Sequence, residues 1–77
     1  MQPQPDARQL QERREVAERL RYLRHQRGLT QERLAEAIGR DRQTVGQWER
    51  AVTPPTVDDL SALARALRVE TWRLFYG

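Results

Sequence analysis

Between Asp41 and Arg50 the chain sets two amides and two guanidiniums at helical spacing: Arg42, Gln43, Gln47 and Arg50. With Val45 turned inward, about 100° per residue carries Gln43, Gln47 and Arg50 to the opposite side, with Arg42 and Gly46 along one shoulder. A face of this kind offers no activated nucleophile and no general base. Its chemistry is recognition. A glutamine amide donates and accepts at once toward an adenine edge, and an arginine fork matches guanine or phosphate. Gly46 costs roughly 1 kcal/mol in a helix interior, and its missing side chain would let the helix approach another surface closely. A solvated helix face built of ordinary polar helix formers accounts for the same residues, so the face alone leaves both readings open.

A second constellation is a pair of charges on sides that should be apolar. Arg24 falls beside Leu20 on the inward side of one helix, and Glu49 falls beside Val45 on the inward side of another. Unpaired charges there are costly. The two are therefore expected to form one buried salt bridge, with their charged groups less than about 6 Å apart.

These side chains need a frame, and the pattern around them supplies one. Thr30 is an N-cap type residue ahead of the apolar positions Leu34, Ala35 and Ile38. Gly39 ends that helix and Asp41 caps the next, whose inward residues are Val45 and Trp48. Upstream, Asp6 followed by Gln9 fits a capped start, and nothing from Ala7 to Arg27 breaks a helix. Val16, Leu20 and Leu23 form a stripe, whereas Leu10 is the only large apolar residue before them. The reading is a firm helix from about residue 14 to 26, ended by Gly28, with residues 1–13 as an N-terminal arm or loose helix extension. Arg14 and Glu18, and Glu15 and Arg19, stand four apart as ion pairs on its surface. Residues 1–5, rich in Gln and Pro, read as disordered.

Downstream, two prolines make residues 52–55 a loop. Thr56 with Asp59 resembles a capping box, opening a helix whose core positions are Val57, Leu60, Leu63, Ala64 and Leu67. After a turn at residues 68–70 comes a short helix, residues 71–76, carrying Trp72, Leu74, Phe75 and Tyr76. No stretch reads as a strand. The expected fold is all-α: a compact five-helix domain over residues 14–77, with the longer N-terminal helix or arm ahead of it.

Composition narrows the function. The 77 residues form one domain, contain no cysteine and hold a single histidine, so no thiolate or imidazole set points to a metal or cofactor. No apolar run approaches a membrane span and no signal peptide opens the chain, which places it in the cytoplasm. With no nucleophile–base pair and no glycine-rich phosphate loop, it is not expected to be an enzyme. All 14 basic residues are arginine and the net charge is +3. A GC-rich coding sequence explains that usage as well as phosphate contact does; placement has to separate them.

Taken together, these motifs resemble the Cro/phage-repressor helix-turn-helix family of the xenobiotic-response-element (XRE) type. The likeness runs from about Arg19 to Leu74 and is carried by residues 19–24, by Gly28-Leu29-Thr30-Gln31-Glu32-Arg33-Leu34-Ala35, and by Ile38-Gly39. Thr44-Val45, Trp48-Glu49-Arg50, Pro55-Thr56, residues 64–67 and Val69 continue it. The resemblance implies a sequence-specific, double-stranded-DNA-binding transcription regulator, a repressor before an activator, with the helix of residues 42–50 in the major groove. By position, Gln31 would contact a phosphate and steady the reading side chains. Arg42, Gln43 and Gln47 would reach base edges, and Thr44 and Arg50 the backbone nearby. An Arg24–Glu49 bridge is typical of the family.

Some residues depart from the pattern. Arg40 stands where the family has an apolar turn residue; either its stem packs while its head reaches out, or the turn is looser and Arg40 adds a phosphate contact. Ala51 and Arg68 replace two expected glycines, losing the residue best suited to a left-handed backbone at roughly 1 kcal/mol each. The loop of residues 52–55 carries no basic side chain, which shifts phosphate grip to other arginines, with Arg13, Arg14 and Arg21 as candidates beside their ordinary role in helix-surface ion pairs.

One such motif covers a half-site, so tight binding implies a homodimer on a pseudo-palindromic operator. Trp72, Leu74, Phe75 and Tyr76 are the dimer-surface candidates, with core cover as their alternative. A competing reading is an antitoxin or adaptor whose main partner is a protein such as a toxin, with DNA binding secondary.

Overall fold

The computed structural model describes residues 4–76, so the first three residues of the segment read as disordered lie outside it. Five helices follow in order: α1 Ala7–Gln26, α2 Gln31–Ile38, α3 Arg42–Glu49, α4 Val57–Leu67 and α5 Arg73–Tyr76. Among the described residues there is no strand.

Each of the first four helices starts on a side chain that accepts from a backbone N–H left free by helix geometry. Asp6 and Gln9 form a complete capping box, which starts α1 as one continuous helix at Ala7. Thr30 accepts from the Arg33 amide, and Asp41 from the Thr44 amide. Thr56 and Asp59 make the second capping box, in which the shorter Asp still reaches the Thr56 amide at 3.0 Å.

The same four helices also end alike. In each, the first or second residue past the end takes positive φ and the closing pair of amide–carbonyl bonds of a Schellman motif forms. The pairs are Gly28 to His25 with Leu29 to Arg24, and Gly39 to Glu36 with Arg40 to Ala35. Ala51 to Trp48 with Val52 to Gln47, and Arg68 to Arg65 with Val69 to Ala64, complete the set. Ala51 and Arg68 both sit at φ 60°, a left-handed backbone that an L side chain adopts at a cost. The missing glycines thus leave the turns intact and strained.

The core is a single cluster. Leu20 and Leu23 of α1, Leu34 of α2, Val45 and Trp48 of α3, and Leu60, Leu63 and Leu67 of α4 meet in it. α2 packs on both α3 and α4, while α1 packs on α3 and α5. Leu74 is fully buried in this cluster, so it is core and not a dimer-surface residue. The reason is the packing of α5 against α1 and α4, which turns Leu74 inward and leaves Trp72, Phe75 and Tyr76 exposed. Val57, expected in the core, is 77% exposed. It opens α4, one turn before the stripe reaches its neighbours. On α1 the ion pair that forms is Arg8–Glu12 at 3.9 Å, and neither Arg14–Glu18 nor Glu15–Arg19 closes to 4.0 Å.

Candidate nucleic-acid interface

α3 is held by its inward side. Val45 and Trp48 are buried in the core, and Glu49 is 2% exposed. Arg24 donates to both carboxylate oxygens of Glu49, from Nε at 2.7 Å and from Nη2 at 2.9 Å, and its Nη1 donates to the Leu29 carbonyl at 2.8 Å. A bidentate fork of this kind orients both partners. The structure therefore places the two inward charges of α1 and α3 in direct contact.

Two further side chains join the pair. Gln31, the first residue of α2, donates from Nε2 to Glu49 Oε1 at 3.0 Å. Arg21 donates from Nη1 to the Glu49 backbone carbonyl at the end of α3. α1, α2 and α3 thus converge on one residue, and every buried side-chain N and O among the described residues has a partner. Sequence reasoning found the Arg24–Glu49 pair from two misplaced charges. The Gln31 and Arg21 bonds had no such signal, because neither residue stands on a side that excludes polar groups.

On the other side of α3, Arg42, Gln43 and Arg50 are exposed, while Thr44 and Gln47 are half-buried. Gly46, placed on the shoulder of that face, is instead buried. A Cβ there would lie 3.2 Å from an Arg50 Nη1 and 3.8 Å from Gln31 Oε1. The glycine makes room for those two side chains to lie over the helix. Gln31 and Arg50 consequently border α3 along one edge, with Gln43 and Gln47 beyond them. Asp41 opens α3, and the hydrogen bonds from the Thr44 amide and hydroxyl hold its carboxyl below its ordinary 3.8.

Arg40, the residue that breaks the motif's pattern, is occupied. Its Nη2 reaches Asp59 Oδ1 at 2.8 Å, its Nε reaches the same oxygen at 3.3 Å, and its guanidinium lies 5.8 Å from the centre of the Trp48 ring. The second Asp59 oxygen accepts from the Thr56 amide. Burial pushes the Asp59 carboxyl up, but the bonds from Arg40 and Thr56 outweigh it and hold it below 3.8. Arg40 therefore ties the turn between α2 and α3 to the start of α4, with its guanidinium over Trp48. Even so paired, its side chain stays 45% exposed at the turn.

Arg27 was not singled out by its type or spacing. It donates to the Leu67 carbonyl at 2.6 Å and to the Arg68 carbonyl at 3.2 Å, capping the end of α4 where the helix dipole is negative. Among the described residues, no three His, Cys, Asp or Glu side chains converge as a metal site. Nothing in this face is arranged for bond making or breaking. It is a rigid helix presenting amides and guanidiniums.

Comparison with known proteins gives the same outline. A helix-turn-helix family profile (HTH_3) matches residues 20–71. The chain is 41% identical over 61 residues to the HTH-type transcriptional regulator DicA of Escherichia coli K12, covering 78% of this chain and 45% of DicA. The chain thus spans less than half of that relative's length. Among solved structures, the restriction-modification controller protein C.AhdI from Aeromonas hydrophila superposes with a TM-score of 0.81 at 38% identity, over 84% of this chain and 98% of the controller. A hypothetical transcription factor from Neisseria, NHTF, gives 0.80 at 31% identity, over 97% of this chain and 84% of that one.

Proposed function

The chain belongs to the helix-turn-helix family of Cro/XRE type, a family of non-enzymatic transcription regulators, and from that premise we propose that it is a sequence-specific, double-stranded-DNA-binding repressor. It binds as a homodimer on a pseudo-palindromic operator, with α3 in the major groove, and works in the cytoplasm. The observation that carries this reading is the division of α3 into two sides. Val45, Trp48 and Glu49 anchor it, leaving Arg42, Gln43, Gln47 and Arg50 outward on a helix that cannot roll. Arg42, Gln43 and Gln47 reach base edges. Thr44 and Arg50 meet the flanking backbone, and Gln31, held by Glu49, meets a phosphate and steadies the reading side chains. Among the described residues, no helix is long and apolar enough to cross a membrane.

Selection of an operator from random duplex DNA, followed by titration across salt concentrations, tests it. Five to eight neutralised phosphates give a log–log salt slope of about −5 to −7. Gln43→Ala or Gln47→Ala costs about 1–3 kcal/mol against the preferred site and relaxes preference at one or two positions. Arg50→Ala weakens all sequences alike. Equal affinity for selected and random DNA would sink the specific reading.

The homodimer rests on Trp72, Phe75 and Tyr76, which stay exposed where a small domain ordinarily covers aromatics. The same exposure supports the second reading, an antitoxin or adaptor with a protein partner such as a toxin. Sedimentation with and without operator separates the two. A monomer at micromolar concentration, even on operator DNA, removes the dimer. The likeness to a restriction-modification controller makes the neighbouring genes the first place to look for the regulated system.

A further inference from the structure

Three arginines of α1 could have served the DNA backbone, and the structure separates them. Arg13 lies in a groove with Pro54, Pro55 and Phe75. Arg14 and Arg21 lie on a neighbouring stripe, seven residues apart and hence two turns along it. There they line a cleft of about 250 Å³ with Glu18, Glu49, Arg50 and Ala51, between α1 and the end of α3.

We propose that Arg14, Arg21 and Arg50 form a phosphodiester-binding site at the junction of α1 with the C-terminal end of α3. It rests on the DNA-binding reading above and extends it to the first helix. The charges favour an anion. Glu49 lines the cleft, but its carboxylate is already neutralised by Arg24 and bonded by Gln31. That leaves three guanidiniums against the single carboxylate of Glu18. Arg14 is exposed and lies in no ion pair among the described residues. Arg21 is anchored by the Glu49 carbonyl, so part of its fork is fixed at the mouth of the cleft. Arg50 is shared: it runs back along α3 over Gly46, whose missing side chain Gln31 also borders. The cleft therefore continues the edge of α3 on which Gln31 lies, so a strand following that edge passes from Gln31 over Arg50 to Arg21 and Arg14. The loop of residues 52–55, which has no basic side chain, is replaced by this helix surface.

Salt-dependent DNA binding by the full chain tests the site, with Arg14→Gln compared against Arg65→Gln. Arg65 is equally exposed and carries the same charge, but lies on α4 beside Ala37 and Ile38 of α2, away from the cleft. Arg14→Gln is expected to flatten the log–log salt slope by about 0.9 on specific and random DNA alike, so that a fourfold rise in salt costs it about 3.5-fold less affinity than it costs the wild type. Glu18→Gln, which removes the one uncompensated carboxylate, is expected to tighten binding of both DNAs. A purely structural role for Arg14 would not produce that gain. If Arg14→Gln matches Arg65→Gln in slope and Glu18→Gln binds no more tightly, the site is overturned while the reading of α3 stands. If the wild type itself fails to bind duplex DNA, both fall.

Discussion

The Arg24–Glu49 pair lends itself to a double-mutant cycle whose outcome the geometry sets. Arg24→Met leaves Glu49 charged, 2% exposed and deprived of both its guanidinium bonds. Glu49→Leu does the same to Arg24. Removing one partner of such a buried pair costs about 3–5 kcal/mol. For a domain of this size the whole stability is on the order of 4–12 kcal/mol, so each single variant should lie near unfolding, with the midpoint lowered by at least about 12 °C. The double variant carries no buried charge at that point. It still loses the Arg24 bond to the Leu29 carbonyl and leaves the Gln31 amide without Glu49. Each of these part-buried losses costs about 1 kcal/mol, which the new apolar packing partly offsets. The double variant should therefore be destabilised by about 1–2 kcal/mol, far less than the sum of the singles. Urea denaturation of the four proteins gives the cycle directly. If the double variant loses as much as the two singles added together, the pair is not a coupled buried charge and the account of how α3 is seated is wrong. The double variant also isolates a functional question, since it should stay folded yet bind operator more weakly, with Gln31 no longer held.

Other perturbations follow from single features. Ala51→Gly and Arg68→Gly each relieve a positive φ costing an L residue roughly 1–2 kcal/mol, against an entropy cost of roughly 0.5–1 kcal/mol for glycine. Each should raise stability by about 0.5–1 kcal/mol in urea titrations, the opposite of glycine's usual effect. Gly46→Ala improves helix propensity by roughly 1 kcal/mol but pushes its Cβ against the flexible end of Arg50. It should melt no lower than wild type while binding DNA more weakly; unchanged affinity would show that the position of Arg50 over Gly46 is irrelevant. Asp41 and Asp59 both have folded-state carboxyls below 3.8, so their contribution is complete above that pH and is lost as pH falls through the lowered values. Thermal melts should therefore decline in the region below pH 3.8, and Asp59→Asn should shallow that decline.

Periodicity and capping chemistry act within a few residues, and that is why so much was legible beforehand. Thr30, Asp41 and Thr56 mark helix starts because a short oxygen-bearing side chain meets orphan amides within one turn. Gly28 and Gly39 mark ends for a similarly local reason, and the inward pattern of Leu20, Leu34, Val45 and Leu63 needs only the helical period. Even a contact between residues 24 and 49 could be inferred, because burial of one charge demands an opposite one. The arrangement of α3 into an anchored side and an outward polar side was thus contained in the chain itself.

Exposed or half-exposed side chains were another matter, since nothing local demands a partner for them. Arg40 could have reached outward from its turn, but the approach of α4 brings Asp59 and Trp48 to it. Arg27 finds the end of α4 only because two segments forty residues apart meet there. Gly46 reads as an open shoulder until α2 and the return of Arg50 cover it. Leu74 and Val57 exchange their expected places because burial at the ends of helices depends on what packs beyond them. By itself the sequence determined which elements form and which sides of them are apolar. Arg24 apart, the tertiary structure alone decided which of the fourteen arginines are bound internally and which face outward, because a flexible cation takes its partner from whatever the packed helices bring within reach.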